Sequence, residues 1–222
     1  MAAREGIEGV PHMNDRGQRL ALVAAARRLS SLGMNTGKSG NLSARVAEGF
    51  LVTPSGKDYA SLGGDDIVYV DGHGEWHGPH KPSSEWRLHR DIYAGFAEAN
   101  AVVHTHSPFA TTLSCLRRAI PPFHYEIAFA GGRDIRCAEY ATFGTQQLSD
   151  HAIAALDARR ACLLANHGAV AFGASLDDAV VLAEKVEALA RLYWQALQVG
   201  EPVLLDGAEV DLVVEKFRTY GR

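Results

Sequence analysis

Cysteine is scarce in this 222-residue chain. The three thiols, Cys115, Cys137 and Cys162, form no CxxC pair, so no disulfide frame is expected and all three read as reduced packing residues of the core. Long apolar runs are missing as well. No uninterrupted stretch approaches the roughly 20 residues needed to cross a bilayer, and residues 1–10 hold no apolar segment of the signal-peptide kind. The expectation is a cytoplasmic protein with no membrane partner. Positive charge is not in excess either: 22 Lys and Arg against 26 Asp and Glu give a formal charge of −4. The basic residues are scattered, nothing supplies a footprint for a phosphate backbone, and nucleic acid is excluded as a partner. Repeats and low-complexity segments are absent.

What is present suffices for one core. With 47% of its residues apolar, a chain of this length buries a single good domain. Residues 1–15 mix glycine, proline and polar residues without a period and read as a loose extension; the domain proper is expected over 16–222. Apolar positions at Leu20, Val23, Ala24 and Leu29 predict a helix over 16–32, ended by Gly33. The glycine-rich segment 34–41 superficially resembles a P-loop but lacks its spacing and follows a helix instead of a strand; its exposed amides, with Asn41 just beyond, could still hold an anion without being that motif. Strands are predicted over 41–46, 49–53 and 67–70. Between them Thr53-Pro54-Ser55-Gly56 is either a plain turn or a turn whose hydroxyls and amide receive an anion. His73, His77 and His80, around the polar loop 75–80, read as solvated. A helix capped by Ser83 or Ser84 is expected to run to about Phe96, followed by a helix over 108–116 and a loop over 120–126. A short strand near Ile135, a helix ending near Ala158, strands over 161–165 and 169–172, and helices over 176–197 and 208–220 complete the chain.

The chemistry concentrates at residues 101–107, AVVHTHS, where an apolar strand ends in two histidines. Side chains two apart on a strand share a face, so His104 and His106 project together as two-thirds of a catalytic zinc site. The best-placed third ligand is His167, at the end of the apolar run 163–165 and followed by Gly168. Glu85 has two readings: an acidic residue that favours a helix N-terminus, or a carboxylate folded over the metal as a proton acceptor. His89, one turn further on, reads as packing. Tyr125 is either a core aromatic with a wet hydroxyl or a proton donor.

Taken in order, GNLSARV at 40–46, TPSG at 53–56, PSSEW at 82–86, AVVHTHS at 101–107, HYEIAFAGG at 124–132, YATFGT at 140–145 and NHG at 166–168 resemble the class II aldolase/adducin family. The match runs from about residue 18 to EKFRTYG at 215–221, and within the family it favours the aldolases that cleave a ketose 1-phosphate. The resemblance implies an α/β fold: one domain with a central, mostly antiparallel sheet flanked by helices on both faces. It implies a homotetramer with active sites at subunit interfaces, a phosphorylated sugar as substrate, and one Zn2+ per subunit on His104, His106 and His167. By the same resemblance Glu85 is the acid/base on the carbon beside the carbonyl, and Asn41, Thr53, Gly56, Ser83 and Ser84 bind the substrate phosphate. Tyr125, from a neighbouring subunit, serves the aldehyde oxygen, and Tyr220 closes over the site. The products implied are dihydroxyacetone phosphate and an aldehyde such as lactaldehyde. Rival family activities are a pentulose-phosphate 4-epimerase, a methylthioribulose-1-phosphate dehydratase and a sugar-acid-phosphate decarboxylase. Glutamate at position 85 and Tyr125 favour the aldolase over the epimerase, and the three histidines argue against a non-enzymatic module of the adducin type.

Overall fold

Among the described residues, eight strands form one mixed sheet. The computed structural model describes residues 15–219; apart from Asp15, the extension expected over residues 1–15 lies outside them, as does Tyr220. The strands are β1 (Asn41–Val46), β2 (Gly49–Val52), β3 (Val68–Asp71), β4 (Trp76–His77), β5 (Ala101–Thr105), β6 (Cys137–Ala138), β7 (Ala161–Leu164) and β8 (Gly168–Gly173). Their spatial order is β4-β3-β2-β1-β5-β8-β7-β6. Every pairing is antiparallel except β6 with β7, as the expected fold class requires. The helices are α1 (Arg16–Ser31), α2 (Trp86–Gly95), α3 (Pro108–Cys115), α4 (Gln146–Ala155), α5 (Leu176–Val199) and α6 (Gly207–Thr219). None of the helices among the described residues is long and apolar enough to cross a membrane.

Strand alternation divides the core. Leu42, Ala44, Ala101, Val103, Ala169 and Ala171 meet α1, α3 and α5 on one face. Phe50, Val102, Val170 and Phe172 meet α2 and α4 on the other. Strand β5 is covered on both faces and paired on both edges, which explains why its five residues are all buried and read as a nearly continuous apolar run. Its register with β1 sets Asn41 opposite His104 and Ser43 opposite Val102. Residues paired in this way share a face, so Asn41, Ser43 and His104 all point toward α2.

Several local expectations are corrected. The polar loop 75–80 contains β4, a two-residue edge strand too short for any periodicity to mark. His80 is not simply solvated, since its Nε2 lies 2.8 Å from Asp66 Oδ1. Of the cysteines only Cys162 is buried; Cys137 is half-buried and Cys115 exposed, and all three are free. The residue in the N-cap position of α2 is Glu85 rather than a serine, and its side chain makes no cap bond. It is turned inward.

Gly168 at the start of β8 shows how tightly the sheet centre is assembled. A Cβ there would lie 2.2 Å from the carbonyl oxygen of Thr105, so the β7–β8 hairpin can approach the end of β5 only without a side chain. Gly168→Ala should therefore cost about 1–3 kcal/mol, as overpacking does, and displace the adjacent His167. Thermal melts paired with metal analysis check this. An unaltered melting temperature and metal content would mean that the hairpin accommodates the methyl group.

Candidate metal centre and active site

Two imidazoles arrive on one strand. His104 is fully buried in β5 and His106 lies just beyond the strand's end, with their Nε2 atoms 2.9 Å apart. The third arrives on a turn. Asn166 adopts φ +54 between β7 and β8, and the His167 amide donates to Leu164 O at 3.0 Å and Ser114 Oγ at 3.3 Å. The three ring centroids then stand 4.8–4.9 Å apart, each pair edge to face. Asn35, 3% exposed, holds the backbone behind them: its Oδ1 accepts the His106 amide at 3.0 Å.

Glu85 completes the cluster. Its carboxylate is 5% exposed, with Oε2 3.1 Å from His104 Nε2 and Oε1 3.4 Å from His167 Nε2. Oε2 also accepts from Asn41 Nδ2 at 2.9 Å, whereas Oε1 makes no hydrogen bond at all. Ligand atoms of Glu85, His104, His106 and His167 all lie within 4.8 Å of one another. The donor set suits a divalent cation on three grounds. His104 Nδ1 sits 2.9 Å from Ala169 O, which fixes a proton there and turns Nε2 toward the cluster. The Nε2 atoms of His104 and His106, 2.9 Å apart, are set to share a proton or a cation. An unbonded buried carboxylate oxygen needs a positive partner. Three nitrogens and one oxygen are the ligand types of a catalytic zinc.

Electrostatics agree with the geometry. Burial pushes His106 and His167 down to about 4, and the charge on neighbouring His104 adds to the effect, so both imidazoles are neutral at pH 7. His89 is pushed to about 3 by complete burial. Burial alone would lower His104 and raise Glu85. The attraction between these two outweighs it, raising His104 and, with help from His167 and Asn41, holding Glu85 well below the usual carboxylate range.

The cluster opens on a cavity of about 350 Å³. Gly56, Ser83 and Ser84 line it, and so do Ser55 of the turn 53–56 and Lys38 and Ser39 of the glycine-rich segment. Asn41 lines it too, but its amide is engaged with Glu85 and His89. Thr53 is buried, and its hydroxyl accepts the Leu42 amide at 3.2 Å; its neighbours Pro54, Ser55 and Gly56 face the cavity in its place. Lys38 is the one fixed cation among the lining residues. Tyr125 begins the 3-10 turn Tyr125–Ala130 and is 51% exposed. It does not line the cavity.

The signs of these shifts predict an acid instability of the metal-free protein. The folded-state values of His89, His106 and His167 lie below the ordinary 6.5, so between about pH 6.5 and 4.5 the unfolded chain binds more protons and stability must fall as the pH falls. His104, raised, contributes fully throughout that window. Glu85, lowered from 4.5, loses its contribution only below it. Urea titrations of chelator-treated protein across pH 4.5–7 should show this decline, and a profile flat from pH 6.5 to 4.5 would contradict the burial of neutral imidazoles.

Comparison with known proteins places this site in a family. Residues 20–194 match the model of the Class II Aldolase and Adducin N-terminal domain. The chain is 55% identical over 203 residues to a 5-methylthioribulose-1-phosphate/5-deoxyribulose-1-phosphate aldolase of Rhodospirillum rubrum, covering 91% of this chain and 92% of that protein. It is 45% identical over 201 residues to the L-fuculose phosphate aldolase of Escherichia coli K12, covering 90% and 94%. Among solved structures, an L-fuculose 1-phosphate aldolase superposes with a TM-score of 0.91 at 39% identity, covering 94% of this chain and 99% of that one. With three histidines and a glutamate gathered at the sheet centre and a match spanning most of its length, the chain belongs to the class II aldolase and adducin family, among its metal-dependent aldehyde-lyases.

Proposed function

We propose that the protein is a zinc-dependent aldolase that reversibly cleaves a ketose 1-phosphate to dihydroxyacetone phosphate and an aldehyde. The observation that carries this reading is the Glu85 carboxylate, buried against three imidazoles with one oxygen unbonded and set beside a cavity lined by small hydroxylic residues and one lysine. The relatives act on L-fuculose 1-phosphate or on 5-substituted ribulose 1-phosphates. Breaking C3–C4 of any of these leaves the same phosphorylated three-carbon ketone, and they differ only in the aldehyde released. A lactaldehyde-yielding substrate of the fuculose type and the 5-deoxy and 5-methylthio pentuloses therefore present one problem to the phosphate end of the site.

His104, His106 and His167 would hold the zinc, one ion per subunit. When bound, the cation supplies the Lewis acidity that makes a hydrogen beside a ketone carbonyl removable at neutral pH. The other steps fall to the chain itself. Ser83, Ser84, Ser55 and the Gly56 amide offer neutral donors to the phosphate, and the Lys38 ammonium adds charge. Asn41 and Thr53, implied as phosphate ligands, would support that end through the backbone they fix. In the cleavage direction the C3–C4 electron pair stays with C3, the proton of the C4 hydroxyl departs, and Glu85 delivers a proton to C3. In the aldol direction Glu85 removes it. Tyr125, exposed on its own subunit, would reach the aldehyde oxygen in a neighbouring one within a homotetramer, and Tyr220 would close over the bound substrate.

Two experiments test the proposal. Purified, zinc-loaded protein incubated with L-fuculose 1-phosphate, 5-deoxyribulose 1-phosphate and 5-methylthioribulose 1-phosphate should release dihydroxyacetone phosphate from at least one of them and stop doing so on chelation. Epimerised or dehydrated product without that release would assign a different family reaction. In the second, Glu85→Gln should slow exchange of the dihydroxyacetone phosphate C3 proton with heavy water by about 10²–10⁴, the usual worth of a general base, while metal stays bound by the histidines. Exchange at the native rate in that variant would place the base elsewhere.

A further inference from the structure

Behind Glu85 lies a row of buried polar groups that the proposed reaction does not use. Glu85, His89 and Tyr93 are spaced four apart and lie along one side of α2. Asn41, Ser43 and Arg45 are spaced two apart on the face of β1 that meets that side. The two rows interlock. Asn41 Nδ2 is 2.9 Å from Glu85 Oε2, Asn41 Oδ1 is 2.5 Å from His89 Nε2, His89 Nδ1 is 2.6 Å from Ser43 Oγ, and Ser43 Oγ is 2.7 Å from Tyr93 OH. Asn41, Ser43, His89 and Tyr93 are at most 7% exposed, and Ser43 and His89 are wholly buried. Arg45 fixes the far end: its guanidinium donates to the backbone oxygens of Tyr93, Phe96 and Ala99 and lies 4.8 Å over the Tyr93 ring.

Donor and acceptor chemistry leaves this chain one direction. A carboxylate only accepts, so the Asn41 amide must give Glu85 an N–H and turn its oxygen to His89. His89 must then donate from Nε2, which in a neutral ring makes Nδ1 an acceptor. Ser43 donates to Nδ1 and accepts from Tyr93. Each group fixes the next, and the string ends on the carboxylate. The Phe50 ring lies nearly parallel to the His89 imidazole, with centroids 6.5 Å apart and a 13° tilt. The surroundings are otherwise the apolar core of Phe50, Val52, Val102 and Ile92, where packing alone would be satisfied by aliphatic residues.

We propose that His89 is a positioning residue for proton transfer, holding Glu85 in its working orientation through Asn41, with Ser43 and Tyr93 fixing the tautomer of His89. The proposal rests on the reading of Glu85 as the base, and its test separates the two ideas. The readouts are C3-proton exchange of dihydroxyacetone phosphate in heavy water, KM for the same compound and bound zinc, measured on zinc-loaded protein. His89→Leu should slow exchange by about 10–100-fold, the usual cost of removing a group that orients another, at unchanged KM and zinc content. His89→Gln, which keeps a donor for Asn41 and an acceptor for Ser43, should recover most of that loss. Ser43→Ala, a small change that leaves the fold intact even where His89→Leu does not, should slow exchange in the same sense and to a lesser degree. Native exchange in Ser43→Ala and in folded His89→Leu, with Glu85→Gln inactive, would overturn the relay and leave the base assignment standing. Slow exchange accompanied by lost zinc would show a merely structural role. Native exchange in Glu85→Gln would remove the base on which the relay acts.

Discussion

A carboxylate kept almost wholly out of water is the constraint around which this molecule is arranged. An isolated buried charge costs far more than a single interaction returns, so Glu85 must be surrounded by groups that favour its ionised form. The structure supplies His104 at 3.1 Å, His167 at 3.4 Å and an amide N–H from Asn41 at 2.9 Å. These partners come from three separate parts of the chain, and bringing them together dictates which strands must be neighbours. The same four side chains satisfy the needs of a divalent cation.

The sheet order follows from that requirement. Strand β5 lies between β1 and β8, so the strand carrying His104 has Asn41 on one side and the turn bearing His167 on the other. Closeness is achieved by omission as well as by contact, because no side chain fits at Gly168 against Thr105 O. Helix α2 is tied to β1 by Arg45, which satisfies carbonyls at and beyond its C-terminal end. Its N-terminal end, where Glu85 sits, is thereby held against the end of β5.

The cavity beside the cluster is built from weaker means. Small hydroxylic residues, a glycine and one exposed lysine line it, which would suit the phosphate end of the proposed substrate. Tyr140 and Phe143, both more than half exposed, add aromatic surface to the same lining.

Much of this was legible in the residues alone. The strand ending in His104 and His106 was readable because side chains two apart on a strand share a face whatever surrounds them. The mostly antiparallel α/β fold followed from seven short motifs in order. His167 was a candidate because a glycine follows an apolar run, yet the 4.8 Å approach of its ring to His104 depends on a hairpin lying against β5. Periodicity carried no information on β4, too short to show any, or on Asn35, whose role is a single bond to a distant amide. Position 85 read equally as a helix-start charge and as a base, and only the tertiary structure shows its side chain turned inward without a cap bond. His89 read as packing although Glu85, His89 and Tyr93 form a polar row on α2, with Asn41, Ser43 and Arg45 forming its counterpart on β1. Each row by itself resembles an ordinary solvated face. Only tertiary structure sets one against the other inside the core, because the pairing of a helix with a strand 44 residues away in sequence is decided by global packing and leaves no trace in local spacing.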